Sequence, residues 1–509
     1  MKVTAEDMSL NCIQRGCAGL AAVGCLLAAG CAVGPNFQTP AAPKVSGYTA
    51  TPLAANLTAT AMPGGEAQHL VAGLDIPGEW WQVFHSPPLN ALIVSALTNN
   101  PDLKAAQAAL RVAHENVLAQ RGAYFPSLAG GFSATRQKQS ELLAPAPNYP
   151  AVSSEFQYNL FTPEVTVSYM PDVFGLNRRT MESLRAQEAG VSFQLAATYL
   201  TLSANVVVAA IQEAALRGQI EATGELIDIN SNMVQILRLQ FTNGYAGGLD
   251  VAAQESQLAQ EAATLPALRK QLAQQRDALA ALAGRFPSAS LAAKFELADL
   301  QLPADLPLSL PAQLVAQRPD VRQAEANFHA ATAQIGIAIA NRLPNITLTA
   351  NAGSSALAID QVFTSGTGFW GLGAQAMAPI FQGGTLLHQE RAARAACVEA
   401  AEQYRGAVLT AFQNVADTLS ALEQDAEALK ATAAAADAAR TTLDLTREQA
   451  QNGYAGYLAL LNAEQTYQQA RLNLVQAQAS RLADSAALFQ ALGGGWWHHA
   501  ELMEDQHEK

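Results

Sequence analysis

The feature that most constrains this fold is a short motif that occurs twice. It runs from Arg238 to Asp250 and from Arg447 to Ala459, and both copies contain Asn-Gly-Tyr-Ala-Gly, one further residue and Leu. Other pairs keep the same spacing of 209 positions: Glu255 and Glu464, Gln260 and Gln469, Leu265 and Leu474, Leu279 and Leu488, and Gly284 and Gly493. A period this long exceeds that of solenoid repeats and predicts two fused copies of one half-domain.

Each copy of the motif predicts the tip of a helical hairpin. Alanine-rich helical patterns run from about Leu176 to Asn243 and from about Gly384 to Asn452. Asn-Gly is typical of a helix end, and a helical pattern resumes after it. The return segments have apolar residues at multiples of seven, as in coiled coils: Leu258, Leu265, Leu272 and Leu279, then Leu461, Val475, Leu482 and Phe489. We expect Pro266 to kink the first return helix.

Four segments, two in each half of the chain, change to the strand period of two. Apolar and small polar residues alternate from Leu128 to Thr135 and from Val165 to Tyr169, and again from Ile346 to Ala352 and from Trp370 to Ala376. This alternation is the weak signature of outer-membrane β-hairpins, although a hairpin on the surface of a soluble domain shows it too. We predict one hairpin in each half, with residues 137–155 and 354–366 as external loops.

Four strands per chain predict an oligomer. The two sheet edges would leave backbone groups unpaired in hydrocarbon, which costs several kcal/mol for each group. Several copies must therefore close the sheet. Two copies would give eight strands and an interior filled by side chains, whereas three would give twelve strands and a lumen.

The composition restricts the class of partner. The 509 residues have a formal net charge of -13 and contain no basic cluster, which argues against nucleic acid as a partner. Four of the five cysteines, Cys12, Cys17, Cys25 and Cys31, lie near the amino end, and the fifth is Cys397. Removal of a leader would therefore leave no disulfide framework within one chain.

Residues 1–30 are predicted to be a lipoprotein signal peptide. The apolar core from Ala18 to Gly30 is shorter than the roughly 20 residues that span a membrane. Leu27-Ala-Ala-Gly before Cys31 resembles a bacterial lipobox, with Ala28 where leucine is usual. Cleavage there would leave Cys31 with an N-acyl group and an S-diacylglycerol, which is the one covalent lipid that we expect.

Alternatives to this leader assignment remain. Cys25 follows Ala-Val-Gly and is a poorer cleavage site, and an ordinary signal peptide with an incidental cysteine is the other interpretation. Glu6 and Asp7 interrupt the positive region of a signal peptide. We therefore hypothesise that translation starts at Met8. All these alternatives predict export to the bacterial envelope.

The segment after the leader predicts an extended tether. It is rich in proline, alanine, glycine and threonine and has few large apolar residues. Order is expected to begin at Trp80, Trp81 and Phe84. A short helix should follow, with its apolar face formed by Leu89, Leu92, Ile93 and Leu97. Asn100-Pro-Asp-Leu and Arg318-Pro-Asp-Val then predict one helix start in each half.

These motifs resemble the outer membrane factor family, the TolC-type channels, and in particular its lipoprotein branch of drug-efflux channels. The resemblance covers nearly the whole chain. Its motifs are Cys31-Ala-Val-Gly-Pro-Asn-Phe, Trp80-Trp81 with Phe84, Asn100-Pro-Asp-Leu, Tyr124-Phe-Pro-Ser, Arg318-Pro-Asp-Val, Ala378-Pro-Ile-Phe-Gln-Gly-Gly, Tyr454 to Gln465, and Ala491-Leu-Gly-Gly-Gly-Trp.

The resemblance implies an α+β membrane protein that assembles as a homotrimer. Its strands would form a twelve-stranded barrel in the outer membrane of a Gram-negative cell, and its helices a periplasmic α-helical tunnel. The implied function is the exit duct of a tripartite efflux system, which passively conducts small molecules. The implied partners are a periplasmic adaptor (membrane fusion) protein, an inner-membrane pump of the resistance-nodulation-division class, and outer membrane lipids.

The resemblance also assigns roles to the hairpin tips. They would meet the adaptor and close the periplasmic mouth through Arg238, Gly244, Tyr245, Gly247 and Leu249, and through Arg447, Gly453, Tyr454, Gly456 and Leu458. We expect the arginines to bond tip carbonyls or neighbouring acids; the alternative is that all ten are turn residues only. Relatives often carry an acid inside the second tip, where this chain has Asn462, with Gln465 in place of a basic partner. Neutral hydrogen bonds would then replace a charged latch at this gate.

Other functions compete with the efflux duct. A duct for type I protein secretion or for metal-ion efflux has the same architecture. A soluble periplasmic coiled-coil scaffold leaves the leader and the strands unexplained. An enzyme is not indicated: Gly366-Thr-Gly-Phe-Trp-Gly precedes a strand pattern rather than a helix, and the common catalytic motifs are absent. No cofactor or metal site is expected, and His498, His499 and His507 are assigned to a disordered tail.

The predicted boundaries follow from these assignments. The parts are the signal peptide 1–30, the tether 31–77, the first repeat 78–287 with β-hairpin 124–174 and long helical hairpin 176–284, the linker 288–311, the second repeat 312–496 with β-hairpin 343–381 and long helical hairpin 383–493, and the polar tail 497–509.

Overall fold

The computed structural model describes residues 32–45, 47–50, 54, 56–62, 64–139, 156–289 and 291–499. The predicted signal peptide, Cys31, most of the first external loop and the tail from residue 500 lie outside these ranges. Contacts group the chain into two compact units. The first comprises the residues up to Thr39, Val112–Glu188 and Ala326–Glu402; the second comprises Pro40–Arg111, Ala189–Glu325 and the residues from Gln403 onward.

In the described ranges, strands and helices alternate along the chain. Their order is β1 (Asn56–Leu57), β2 (Gln68–Ala72), α1 (Pro87–Asn99), α2 (Pro101–Gly122), β3 (Ser127–Gln139), β4 (Phe156–Tyr169), α3 (Leu176–Thr242), α4 (Gly248–Leu282), β5 (Asp305–Leu308), α5 (Pro311–Gln317), α6 (Pro319–Ala340), β6 (Asn345–Ser354), β7 (Gly368–Met377), α7 (Thr385–Gln451) and α8 (Tyr457–Ala491).

One antiparallel sheet of four strands belongs to the first unit. Its order is β3-β4-β6-β7. Ser127 lies opposite Ser168, and Asn345 lies opposite Met377. The two hairpins are therefore confirmed, and pairing of β4 with β6 joins them. The strands of the first hairpin are 13 and 14 residues long, and β3 extends to Gln139, into the predicted external loop 137–155.

The register separates the residue types on the two faces of this sheet. Val165 lies opposite both Gly130 and Ala352, and Ala352 lies opposite Trp370. Since side chains alternate between faces, one face carries most of the large apolar residues. These are Leu128, Phe132, Val165, Val167, Tyr169, Leu348, Trp370 and Leu372. The opposite face carries small and polar residues, including Ser133, Thr166, Thr349, Asn351, Gly371 and Gly373.

The four long helices have equal lengths in pairs. Helices α3 and α7 have 67 residues each, and α4 and α8 have 35 each. Helix α7 begins and ends 209 positions after α3, and α8 begins and ends 209 positions after α4. The predicted helix ends are confirmed to within about one residue. Helix α4 continues through Pro266. Helix α3 includes an apolar stretch of 18 residues that resembles a membrane span in composition; 67% of it is buried, as in a core helix.

The second unit contains the main hydrophobic core. Trp80, Trp81 and Phe84 lie in a buried 3-10 helix, but order begins before Trp80, contrary to the prediction, because Leu57 and Ile76 belong to the same core. Trp80 stacks on Phe489 of α8, with ring centroids 5.6 Å apart. Helix α1 buries Leu89, Leu92 and Ile93, as its periodicity predicts. The predicted helix starts at Pro101 and Pro319 are also confirmed.

The predicted tether and linker contain a small sheet that the sequence interpretation missed. Strand β2 pairs with β1 and, in parallel, with β5. The side chain of Arg481 is fully buried beneath this sheet and donates to the carbonyl of Glu66 (2.7 Å) and to the side chain of Gln68 (3.3 Å). These hydrogen bonds fix a segment with too few apolar residues to show a strand pattern.

The prediction that residues 497–499 belong to a disordered tail is wrong. Trp496–His498 form a 3-10 turn after three glycines with positive φ, Gly493 to Gly495. The indole nitrogen of Trp496 donates to the carbonyl of Gln317 (2.6 Å). His499 bonds the hydroxyl of Tyr199 (2.9 Å), and His498 bonds Asp75 (2.8 Å). These two histidines therefore make structural contacts, and His507 lies outside the described residues.

Candidate functional site

Both hairpin tips close in the same way. Gly244 and Gly453 have φ of 77° and 76°, a region that favours glycine because a Cβ is strained there. The amide of Tyr245 donates to the carbonyl of Gln240, and that of Tyr454 to Gln449, both at 2.8 Å. This six-residue closure is the Schellman motif, in which glycine follows the last helical turn. Two separate parts of the sequence thus build the same tight turn.

The tips project their apolar side chains into solvent. Tyr245 is 85% exposed and Tyr454 is 86% exposed, and Leu249 and Leu458 are exposed as well. Gly247 and Gly456 are the extended residues that precede the return helices. The first tip has an additional cap, since the amide of Gly247 donates to Asp250 (3.1 Å). Exposed aromatic and leucine side chains beside small residues form a surface that suits protein contact.

The two tip arginines face equivalent glutamates in different surroundings. Arg238 contacts Glu255 on the surface, with a nitrogen 2.7 Å from the carboxylate. Arg447 lies 4.0 Å from Glu464 and 3.8 Å from Asp444. Glu464 is completely buried, whereas Glu255 is exposed. The first pair is a closed surface ion pair, and the second is an open pair with one partner in the interior.

A buried polar layer lies between the four long helices close to the tips. It consists of Asn230 from α3, Gln254, Gln257 and Glu261 from α4, and Glu464 from α8. Asn230 donates to Glu261 and accepts from Gln254. Gln257 also donates to Glu261 (2.8 Å). Both oxygens of Glu261 are thus satisfied by amide donors, as a buried carboxylate requires.

Glu464 is the exception in this layer. Within the described residues, neither of its carboxyl oxygens has a hydrogen-bond partner of acceptable geometry. Burial raises its pKa to about 7, and the charge of Glu261 adds to the rise, whereas Arg447 and Gln254 beside it partly offset it. Burial also raises the pKa of Tyr457, which lies near the carboxyl groups of Glu464 and Glu261. Glu464 therefore changes its charge near neutral pH.

The two predicted gate residues occupy different positions relative to this layer. Gln465 is largely exposed, but its amide donates to Gln257 (2.8 Å) and so links α8 to α4. Asn462 is exposed, and its backbone carbonyl accepts a hydrogen bond from Thr466 (2.8 Å). Of the two, only Gln465 makes a described hydrogen bond between helices.

Sequence reasoning missed Asn230, Gln254, Gln257, Glu261 and Glu464 as a group. A signal was present in α4, where three polar residues recur at spacings of three and four on one helical face. Such a stripe also fits a solvated face, so the pattern does not distinguish the two. The predicted lipid site, Cys31, lies outside the described residues.

Known proteins resemble this chain over most of its length. The sequence profile of the outer membrane efflux protein family matches residues 92–285 and 310–494. The pyoverdine export outer membrane protein OpmQ of Pseudomonas aeruginosa is 30% identical over 459 residues, covering 88% of this chain and 94% of that protein. The toluene efflux pump outer membrane protein TtgF of Pseudomonas putida is 30% identical over 495 residues, covering 92% and 94%.

Solved structures share the fold. The outer-membrane channel OprN superimposes with a TM-score of 0.79 at 26% identity, covering 92% of this chain and all of that one. The outer membrane protein VceC of Vibrio cholerae gives 0.75 at 27% identity, covering 83% and 100%. The predicted family is confirmed: this chain belongs to the outer membrane efflux protein family, and it is an efflux channel of the outer membrane.

Proposed function

We propose that three copies of this chain form one duct, with a twelve-stranded barrel in the outer membrane and a helical tunnel in the periplasm. The observation that supports this most is the four-stranded sheet, on which most of the large apolar side chains share one face. Trp370 and Leu372 are each 77% exposed on that face, and Leu128 is 72% exposed. A chain on its own would leave these side chains in water.

The sheet also requires neighbours at its edges. In the described part of the chain, β3 and β7 each pair on one side only. Unpaired edges are not tolerated in hydrocarbon, since every backbone group must be satisfied. Pairing of β3 of one copy with β7 of the next would close the sheet. Twelve strands leave a lumen, and the face with Thr166, Thr349 and Gly373 would line it.

The long helices would continue the duct into the periplasm, with the tips at its far end. There, Gly244, Gly247, Gly453 and Gly456 would admit the helices of an adaptor protein. Tyr245, Leu249, Tyr454 and Leu458 would supply apolar contact, and Arg238 and Arg447 would hold the tips in shape. Gln465 and the buried polar layer would hold the mouth shut, with Asn462 in a minor role.

The proposed partners are a periplasmic adaptor and an inner-membrane pump of the resistance-nodulation-division class. The names of the relatives OpmQ and TtgF refer to pyoverdine and toluene, so we propose small organic molecules as the substrate class of this chain. Type I protein secretion and metal-ion efflux are the alternative cargoes. No catalytic role is proposed, and the lipid on Cys31 is the one attached group.

The proposed organisation retains the predicted boundaries of the two repeats. Two repeats, 78–287 and 312–496, would each supply one β-hairpin and one long helical hairpin. Equal lengths of the paired helices support this division. Incorporation of labelled palmitate into the protein, and its loss in Cys31→Ser, tests the proposed lipid site.

A pair of substitutions on the two faces of the sheet tests the barrel. Leu372→Arg places a charge on the apolar face, which costs about 2–4 kcal/mol near the middle of a bilayer. We expect it to prevent insertion into liposomes of outer-membrane lipid. Thr349→Arg is the control, because Thr349 lies on the opposite face. Equal insertion of both variants would contradict the assignment of faces.

A further inference from the structure

The segment that directly follows Cys31 is bound to the first unit in a defined pose. The amide of Val33 donates to the carbonyl of Phe174 (3.1 Å), between β4 and α3. Arg179, at the start of α3, makes most of the contacts with this segment. Its side chain is buried, since Arg179 is 3% exposed. Its guanidinium donates to the carbonyls of Val33 (2.9 Å) and Gly34 (3.1 Å) and to the side chain of Asn36 (2.8 Å).

The guanidinium of Arg179 is itself held in place. It also donates to one oxygen of Glu182 (2.7 Å). The other oxygen of Glu182 bonds His329 of α6 (3.0 Å). The ring of His329 stacks on the ring of Phe37, with centroids 4.3 Å apart and an angle of 13° between the planes. Phe328 packs edge-on against the ring of Phe37. Both ends of the segment are thus fixed by one connected set of contacts.

Glycines make the close approach possible. Gly34 has a φ of 93°, and a Cβ on it would lie 2.5 Å from the Cα of Gly336 in α6. A Cβ on Gly336 would lie 2.8 Å from the carbonyl oxygen of Val33. A Cβ on Gly175 would lie 2.6 Å from the Cα of Ala32. Any side chain at these three positions would push the segment away, so the fit depends on glycine on both sides.

We propose that Ala32–Phe37 is a docking peptide and that Arg179, Glu182, Phe328, His329 and Gly336, which we name the cradle, form its receptor. The part of this proposal that concerns the lipid anchor rests on the proposed acylation of Cys31. Two residues of chain reach about 7 Å, so docking of Val33 restricts the lipid anchor to the neighbourhood of Phe174. The cradle thereby positions the lipid anchor at the connection between β4 and α3.

The proposal gives the sequence after Cys31 a physical role. Val33, Gly34, Asn36 and Phe37 each make at least one of the contacts above. The folded protein would recognise Ala-Val-Gly-Pro-Asn-Phe after export. These residues would therefore serve the cradle and not only the cleavage of the signal peptide. An ordinary tether would need none of these residues at fixed positions.

Hydrogen exchange of the amino-terminal peptide tests the docking. We expect slow exchange at Val33 in the full-length protein, and about tenfold faster exchange in Arg179→Ala, which loses three hydrogen bonds to the peptide. Phe37→Ala changes the peptide and leaves the cradle intact, so it should have the same effect without risk to the fold. Gly336→Ala should do likewise, whereas Gly406→Ala is the matched control, because a Cβ at that helical glycine meets no atom within 4 Å.

The same measurement on Cys31→Ser separates docking from acylation. Docking by the cradle predicts equal protection of Val33 with and without the lipid, and labelled palmitate reports the lipid separately. A wild-type protein that shows protection but takes up no palmitate would contradict the acylation and leave the docking intact. Fast exchange in the wild type, or unchanged protection in Arg179→Ala and Phe37→Ala, would overturn the docking peptide.

Discussion

Glu464 lies completely buried 4.0 Å from the guanidinium of Arg447, whereas the equivalent pair in the first half, Glu255 and Arg238, is closed at 2.7 Å on the surface. The two halves share a backbone tip and differ in electrostatics. The second tip contains an ionisable group that the interior does not satisfy. The raised pKa of Glu464 therefore makes the second tip sensitive to pH near neutrality.

We predict that Glu464→Gln changes how stability depends on pH. The pKa of Glu464 is raised from 4.5 to about 7 in the folded protein. Its contribution to stability is full below pH 4.5, where both states bind the proton, and is lost as the pH rises to about 7, because the unfolded state ionises first. Thermal unfolding at pH 5 and pH 8 should show a smaller difference in Glu464→Gln than in the wild type.

Glu255→Gln is the matched control for this prediction. Glu255 occupies the equivalent position in the first half and is exposed. The wild-type difference between the two pH values should persist in this variant. If Glu464→Gln kept the full difference as well, Glu464 would not be the group responsible.

The gate residues should differ in their effect on conductance. Asn462→Ala should change ion conductance in planar bilayers by less than about twofold, since substitution of an exposed polar residue has little effect. Gln465→Ala removes the bond to Gln257, and a net hydrogen bond contributes about 1 kcal/mol. Openings should therefore become more frequent in Gln465→Ala than in Asn462→Ala. A large rise in Asn462→Ala alone would reverse the assignment.

The tip tyrosines should affect export without affecting stability. Tyr245 and Tyr454 are each at least 85% exposed, so replacement by alanine removes little buried surface. Melting temperatures of Tyr245→Ala and Tyr454→Ala should match the wild type. Drug tolerance of a deletion strain that expresses either variant should fall if the tips bind an adaptor. Full tolerance in the double variant would show that the tyrosines are turn residues only.

Arg481 should be important for the stability of the second unit. Arg481→Ala leaves the carbonyl of Glu66 and the side chain of Gln68 without their donor, at a cost of about 1–3 kcal/mol. Arg471→Ala in the same helix is the control, since its 3.7 Å ion pair with Glu225 is a partly exposed one worth about 0–1 kcal/mol. Denaturant unfolding compares the two. Equal midpoints would show that burial of Arg481 adds nothing.

Much of the fold was predictable because the sequence changes period at each boundary. The alternation around Val165 and Trp370 identified the strands, and Asn243 and Asn452 identified the helix ends to within about one residue. The small sheet of β1, β2 and β5 was missed because its strands have two to five residues and depend on Arg481, which is more than 400 positions away from Gln68 in sequence.

The site was predictable only in part, for a related reason. The Asn-Gly turn motif identifies Gly244 and Gly453 from the local sequence, since the positive φ at these positions favours glycine. The burial of Glu464 depends on four helices meeting, which no local pattern records. The contacts of His499 likewise depend on Tyr199, 300 positions away in sequence.

The proposed duct requires neighbouring copies to complete the sheet between β3 and β7. Native mass spectrometry of the protein extracted in mild detergent measures the number of chains in the particle directly. We expect a particle of three chains, which together supply twelve strands. A particle of one or two chains that still conducts ions in a planar bilayer would contradict it.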